Sequence, residues 1–305
     1  MDVLSDLLDG VRARGALFQR TAMSGPWSLR FAGGSPLTLA TMLRGRAWIV
    51  PDDGEPVPVG TGDIAIMRGR APYTVADDPA TPPQVVVESA DYCTPSYEDG
   101  PRAEPEDSAL LLSGAYTGRG EISERLLLAL PEYLVIPADG RRPLFDLLVG
   151  EMATDRPGQQ VMRDRLLDLM LLSTLRTWFD RSEANAPPWY RASRDPVVGH
   201  ALRLLHADPA RPWTVAGLAA ESGVSRAAFA RRFTAQVGEP PMAYLAAWRI
   251  GLAADLLRDT DATVGSIARR VGYANTFALS VAFKRLRGIT PTQHRGTAPS
   301  PELGT

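Results

Sequence analysis

Lysine and cysteine each occur once in this 305-residue chain, histidine occurs three times, and 32 arginines carry nearly all of its positive charge. A lone thiol, Cys93, can close no internal disulfide and build no thiolate metal site by itself, which excludes disulfide scaffolds and zinc ribbons. The histidines, His200, His206 and His294, all lie in the C-terminal third. Imidazole is the usual ligand for iron, zinc or copper and the usual base beside a nucleophile, so residues 1–190 can assemble neither a standard metalloenzyme site nor a catalytic triad. A glycine-rich phosphate loop is also missing. Neither terminus has an apolar run of the ~18 residues that would mark a membrane span, and the start, "MDVLSDLLDGVRARG", is amphipathic and acidic without a signal-peptide core. The expectation is a cytoplasmic chain of about two domains with no cofactor, no metal and no catalytic residues.

What is present is unevenly distributed. The net charge is only −2, yet residues 191–305 hold 15 Lys and Arg against 8 Asp and Glu, a balance of +7, which leaves −9 for residues 1–190. A basic module beside an acidic one is the footprint of a chain in which one domain meets a polyanion. The basic part contains an internal repeat. "TVAGLAAESGVS" (214–225) and "TVGSIARRVGYA" (263–274) share Thr-Val, an aliphatic residue followed by Ala, and a Gly four residues later (Gly223, Gly272). Each Gly is followed by a second helical pattern with a large apolar pair four apart, Phe229 with Phe233 and Leu279 with Phe283. Each copy therefore reads as helix, tight turn, helix: the small Ala permits close crossing, Gly takes the turn conformation, and the i, i+4 pair buries one side of the second helix. The free side of such a helix is the side that enters a major groove. Between the copies, Pro240-Pro241 opens a helix in which Met242, Leu245, Trp248, Leu252 and Leu256 follow helical spacing.

These residues, together with the closing "GYANTFALSVAFKRLRGITPTQHR" (272–295), resemble the DNA-binding domain of the AraC/XylS family of bacterial transcription regulators over about a third of the chain. The resemblance implies two helix-turn-helix units joined by a long helix, usually behind an N-terminal sensing and dimerising domain. On the first recognition helix, opened by Ser225, it assigns DNA-facing roles to Arg226, Ala227, Ala230 and Arg231, with Arg232 flanking. Arg231 either makes a bidentate guanine contact or touches phosphate. On the second helix the corresponding positions are Phe277, Ala278 and Val281, an apolar set where family members often show polar groups. Asn275, Thr276, Ser280 and Lys284 are expected to reach sugar and phosphate, Phe277 and Val281 thymine methyls, and Arg285, with Arg269, Arg270 and Arg287, to neutralise backbone or remain solvated.

Upstream, short runs such as "PLTLATML", "RAWIV", "GDIAIM" and "QVVVES" between Trp27 and Val87, separated by Gly, Pro and Asp turns, read as a small antiparallel sandwich or barrel. "VGTGDIAIMRGRAPYTVADDP" resembles the second half of a cupin barrel of the kind found ahead of AraC-type domains. Where a cupin places its histidines, this chain has Ala40, Thr41, Pro72 and Tyr73; Asp52, Asp53, Asp77 and Asp78 read as turn residues. In residues 141–181 a helix is apolar around more than half its girth, through Val161, Leu166, Met170, Leu171, Leu175 and Trp178, with Met162 and Met170 as core filler; it either covers the barrel alone or also pairs with a second subunit. Cys93 has no resolving partner in the N-terminal part and acidic neighbours at Asp91, Glu98 and Asp99, which favours an inert thiol over a redox sensor.

The expected fold is α+β and multidomain: a cupin-like antiparallel β-barrel or sandwich at 1–115, a helical extension for dimerisation at 116–184, a linker at 185–196, and an all-α DNA-binding domain of two helix-turn-helix units at 197–298. The expected function is sequence-specific regulation of transcription, as activator or repressor, by a homodimer whose partners are double-stranded DNA and a small-molecule effector, with no membrane association. The alternative is a cupin-type small-molecule enzyme or binding protein carrying a helical appendage.

Overall fold

The computed structural model describes residues 3–9, 11–12, 19–33, 35–69, 71–87, 108–118, 120–138, 143–152, 156–181 and 186–297. Cys93 and its acidic neighbours lie outside the described residues. The chain divides into two compact units, one of residues 11–118 and 127–185, the other of residues 1–10, 119–126 and 186–305. The second unit thus takes helices α1 (Val3–Asp9) and α2 (Glu121–Leu127, of which residues to 126 belong to it) from the N-terminal half of the chain.

The first unit is built from two sheets. Strands β1 (Val11–Arg12), β2 (Gln19–Met23), β4 (Leu37–Arg44), β7 (Ile64–Arg68), β10 (Ala109–Gly118) and β11 (Tyr133–Ile136) form one, in the order β1-β10-β4-β7-β11 with β2 also on β10. Strands β3 (Ser28–Phe31), β5 (Ala47–Pro51), β6 (Val57–Val59), β8 (Tyr73–Ala76) and β9 (Val85–Val87) form the other, in the order β6-β5-β8-β3-β9. Pairing is antiparallel except for β3 with β9. Alternation along β4 sends Ala40 and Met42 into an apolar core with Trp27, Leu29, Phe31, Ile49, Met67, Tyr73, Val75 and Leu111. The expected turn residue Asp52 lies at a bend and accepts hydrogen bonds from both terminal nitrogens of Arg30, and those bonds lower its pKa despite the opposing effect of desolvation. The segment read as a helical extension also contributes β11, whose Leu134 and Ile136 alternate as buried residues and pair opposite Ile66 and Ile64.

Residues 141–181 resolve into two helices, α3 (Pro143–Met152) and α4 (Gln159–Phe179), with Pro157 and Gly158 ahead of the second and Gly158 in the left-handed conformation at φ 85°. Leu166, Leu167, Met170, Leu171, Thr174, Leu175 and Phe179 are buried. The α4 helix lies against β10 at Gly114, where a Cβ would come within 3.2 Å of Leu167, and the buried Tyr116 hydroxyl donates to the Leu167 carbonyl at 2.9 Å. The expectation of Val161 and Met162 as core residues is corrected: they are 63% and 46% exposed, and Leu169 lies out with them. A helix with one sheet-facing side buries a narrower stripe than its apolar residues occupy.

In the second unit, the Pro-rich stretch read as a linker forms α5 (Pro188–Ala192), followed by α6 (Val198–Ala207). The α1 helix packs on both, burying Val3, Leu4 and Leu7. Its Asp6 carboxylate lies 2.7 Å from one ring nitrogen of the buried His206, whose other nitrogen is 2.7 Å from the Tyr244 hydroxyl. The imidazole also lies against Trp248, with ring centroids 4.1 Å apart.

Candidate nucleic-acid interface

The remaining helices of the second unit are α7 (Val215–Glu221), α8 (Arg226–Val237), α9 (Pro241–Asp259), α10 (Val264–Arg270), α11 (Thr276–Arg287) and α12 (Pro291–Thr297). The repeat is reproduced down to individual hydrogen bonds. Thr214 and Thr263 cap the first helix of each copy by accepting from the amides of Gly217 and Ser266, at 3.0 and 3.2 Å. Ser225 and Asn275 cap the second helix by accepting from Ala228 and Ala278, at 3.3 and 2.9 Å. Each cap satisfies one of the backbone donors that a helix N-terminus leaves open.

Between the helices of each copy the chain reverses on a glycine at positive φ, 67° at Gly223 and 84° at Gly272. Val224 and Tyr273 then donate back to the Ala219 and Ala268 carbonyls at 3.0 and 2.8 Å. At Gly272 a Cβ would fall 2.8 Å from the Ala210 backbone, so both φ and space require glycine. The crossings are held by Leu218 and Ala219 with Phe229 and Phe233 in the first copy, and by Ile267 and Ala268 with Leu279 and Phe283 in the second, all buried.

Joining the copies, α9 has Pro240 at its cap and Pro241 in its first turn, and 19 residues give it a length of about 28 Å. Leu245 and Trp248 are buried as expected, whereas Met242 is exposed and Leu252 and Leu256 are half-buried; Pro241, Tyr244, Ile250, Gly251, Ala253, Ala254 and Leu257 complete the buried set. Two arginines tie this helix to its surroundings. Arg249 donates to the carbonyls of Pro209 and Arg211 at 2.7 and 2.8 Å, and Arg295 to those of Leu257 and Ala262 at 3.2 and 2.5 Å.

With Phe229 and Phe233 turned inward, α8 leaves Arg226, Ala227, Arg231 and Arg232 exposed and Ala230 and Thr234 partly so. Among the described residues Arg226 and Arg231 make no ion pair or hydrogen bond, so both guanidiniums are available to a ligand. Arg232 is committed within the protein: with Gln236 it donates to the Asp195 carboxylate, at 2.7 and 2.6 Å, while Asp195 also caps α6 through the amides of Val197 and Val198, both at 2.9 Å. Burial would raise the Asp195 pKa, but these four groups outweigh it and hold the value down at about 2.

On α11, Asn275, Thr276, Phe277, Val281, Lys284 and Arg285 are exposed, and Ala278 and Ser280 are half-buried. Residues 262–297 contain no carboxylate but carry Arg269, Arg270, Lys284, Arg285, Arg287 and Arg295. The two recognition faces are chemically different: the matched i, i+4, i+7 stripe is Ala227, Arg231, Thr234 on α8 and Phe277, Val281, Lys284 on α11.

Sequence reasoning missed Asp195 and the Asp6–His206–Tyr244 chain, because their partners are 37 to 200 positions apart and leave no local pattern. In the N-terminal unit, the positions where a cupin would present histidines hold Ala40 and Tyr73 within the apolar core, and among the described residues no three His, Cys, Asp or Glu side chains are grouped to hold a metal ion. No helix among the described residues is long and apolar enough to cross a membrane.

Comparison with known proteins agrees with both halves of this architecture. Residues 2–180 match the family described as Cupin, and residues 218–297 match the family described as Helix-turn-helix domain. A putative AraC-like transcription regulator of Streptomyces lividans is 36% identical over 97% of this chain and 98% of its own length. One of Streptomyces antibioticus is 32% identical over the same shares of the two chains. Among solved structures, a transcriptional regulator with an AraC-type DNA-binding domain from Chromobacterium violaceum matches 36% of this chain and 98% of that chain, at 26% identity and a TM-score of 0.34. A cupin domain followed by two capped helix-turn-helix units, shared over its whole length with such relatives, places this chain in the AraC family of DNA-binding transcription regulators.

Proposed function

We propose that the two helix-turn-helix units read one asymmetric DNA site across adjacent major grooves, with α8 and α11 as recognition helices and the cupin domain governing how two such modules are presented together. The observation that carries this is the repeated geometry itself: two identically capped helices, each burying its aromatic or aliphatic side and exposing the other. Arg231 is the base reader, its guanidinium suited to the paired acceptors of guanine, with Arg226, Ala227 and Ala230 beside it. Lys284, Arg285, Asn275, Thr276 and Ser280 engage sugar and phosphate, which fixes register and makes affinity salt-dependent. Arg232 reaches DNA less readily, being held by Asp195.

Pairing of two copies through the exposed apolar residues of α3 and α4 supplies the second half of a doubled site and raises the effective concentration of one module beside the other. An effector entering the barrel would be a small apolar molecule, because the side chains of its core are apolar. On this reading the protein acts by binding rather than by catalysis, and it would work in the cytoplasm, where its DNA lies.

Selection of bound sequences from random duplex DNA by the full-length protein tests the reading. The expected product is a motif spanning two successive major grooves. Arg231→Ala should lose about 1–3 kcal/mol of discrimination at one base pair while retaining weak binding to all sequences. Lys284→Ala should weaken all sequences alike and lower the salt dependence by about one counterion. Equal losses on selected and random DNA for Arg231→Ala would overturn this division of labour.

A further inference from the structure

Phe277 is 78% exposed and Val281 53%, four residues apart on α11, and Phe277 lies in the first turn, at the capped N-terminus that a recognition helix turns toward base edges. The fold makes no use of either side chain: Leu279, Ala282 and Phe283 carry the packing of α11. Single exposed apolar residues are common on protein surfaces, but these two occupy the positions that Ala227 and Arg231 hold on α8, and Lys284, the chain's only lysine, continues the same stripe one turn on. The surrounding surface from residue 262 to 297 has cations and no carboxylate, so it suits a polyanion and disfavours a basic partner.

An apolar pair set inside a cationic rim can discriminate only one feature of a major-groove edge. Phe and Val offer no hydrogen bond to the donors and acceptors of any base, whereas the 5-methyl group of thymine is an apolar knob that they can bury. We propose that the second unit identifies its half of the site by burying thymine methyl groups against Phe277 and Val281, with Lys284 on the adjoining phosphate. Specificity would then be split by chemistry, guanine hydrogen bonding through α8 and methyl burial through α11. This rests on the DNA-reading assignment above and goes further by naming the functional group recognised.

The experiment uses the full-length protein and the site it selects, replacing thymines one at a time by deoxyuridine, which removes the methyl and leaves base pairing intact. One or two replacements in the α11 half should weaken binding by roughly fourfold each, the worth of one buried methyl, with none of comparable size in the α8 half. Phe277→Ala, whose thermal midpoint should match wild type because the side chain is exposed, should bind the thymine site at least about fivefold more weakly and lose its sensitivity to deoxyuridine. Cytosine at the same position should bind poorly and 5-methylcytosine better. Selective binding that ignores every deoxyuridine replacement would overturn the methyl assignment while leaving the regulator reading intact; failure to select any sequence would overturn both.

Discussion

Asp195 joins the start of α6 to the middle of α8 through one carboxylate. Its pKa, about 2 against an ordinary 3.8, means that folding favours the charged form. The contribution to stability is therefore fully present above pH ~4 and is lost as the pH falls through about 2. Asp195→Ala should cost about 2 kcal/mol at neutral pH, read from denaturant unfolding, and the gap between variant and wild type should close between pH ~4 and ~2. A gap independent of pH would mean that packing alone is lost. At this scale the sequence was legible wherever chemistry is local. The cap Ser225 and the turn glycines follow from residue type and offset, Arg226 and Arg231 follow from the buried spacing of Phe229 and Phe233, and the repeat marks Thr214 and Thr263 without revealing that they, like Asn275, are caps. Arg232 looked like a DNA contact because it shares a helix with them, and nothing nearby indicates that Asp195 claims it.

The elements separate in the same way. The α7–α8 and α10–α11 pairs were legible because each carries its own boundary signals and because the chain repeats them. Of the β-elements, β10 and β11 were hidden: β10 is the longest strand described but reads as "ALLLSGAYTG", an apolar run that suits a helix equally well, and β11 sits among helical patterns. Apolar content also overstated the burial of α4, since composition cannot distinguish a side that meets β10 from one left open. That open side belongs to the pairing proposal. Leu169→Glu places a charge on the exposed stripe without touching the buried one, so the helix should fold while sedimentation shifts from dimer to monomer. Selected DNA should then lose the doubled motif and keep the single one. An unchanged sedimentation coefficient would remove α4 from the interface.

At the scale of the molecule, the unit that holds both reading heads is gathered from three stretches of chain. A fragment of residues 186–305 has every DNA-facing residue but lacks α1 and α2. It loses the burial of Val3, Leu4 and Leu7 and the Asp6 partner of a buried imidazole, while α2 takes with it the Ile122 amide that donates to Asp255 and the Arg125 that pairs with Glu239. At ~1.5–3 kcal/mol per buried aliphatic side chain, the fragment should be less stable than the intact unit by on the order of 5 kcal/mol, measured by thermal or denaturant unfolding of both. Equal stability would show α1 and α2 to be passengers.

The same feature bears on how such proteins can exchange parts. The chain passes from one compact unit to the other at residues 10–11, 118–119, 126–127 and 185–186. A single recombination point in the Pro-rich stretch near residue 190 would join a foreign sensor, with a foreign α1 and α2, to a DNA-binding core shaped for Val3, Leu7, Asp6 and Ile122. Chimaeras of this chain should therefore work when those two helices travel with the C-terminal module, and fail when the cut is made at the one place where the sequence invites it.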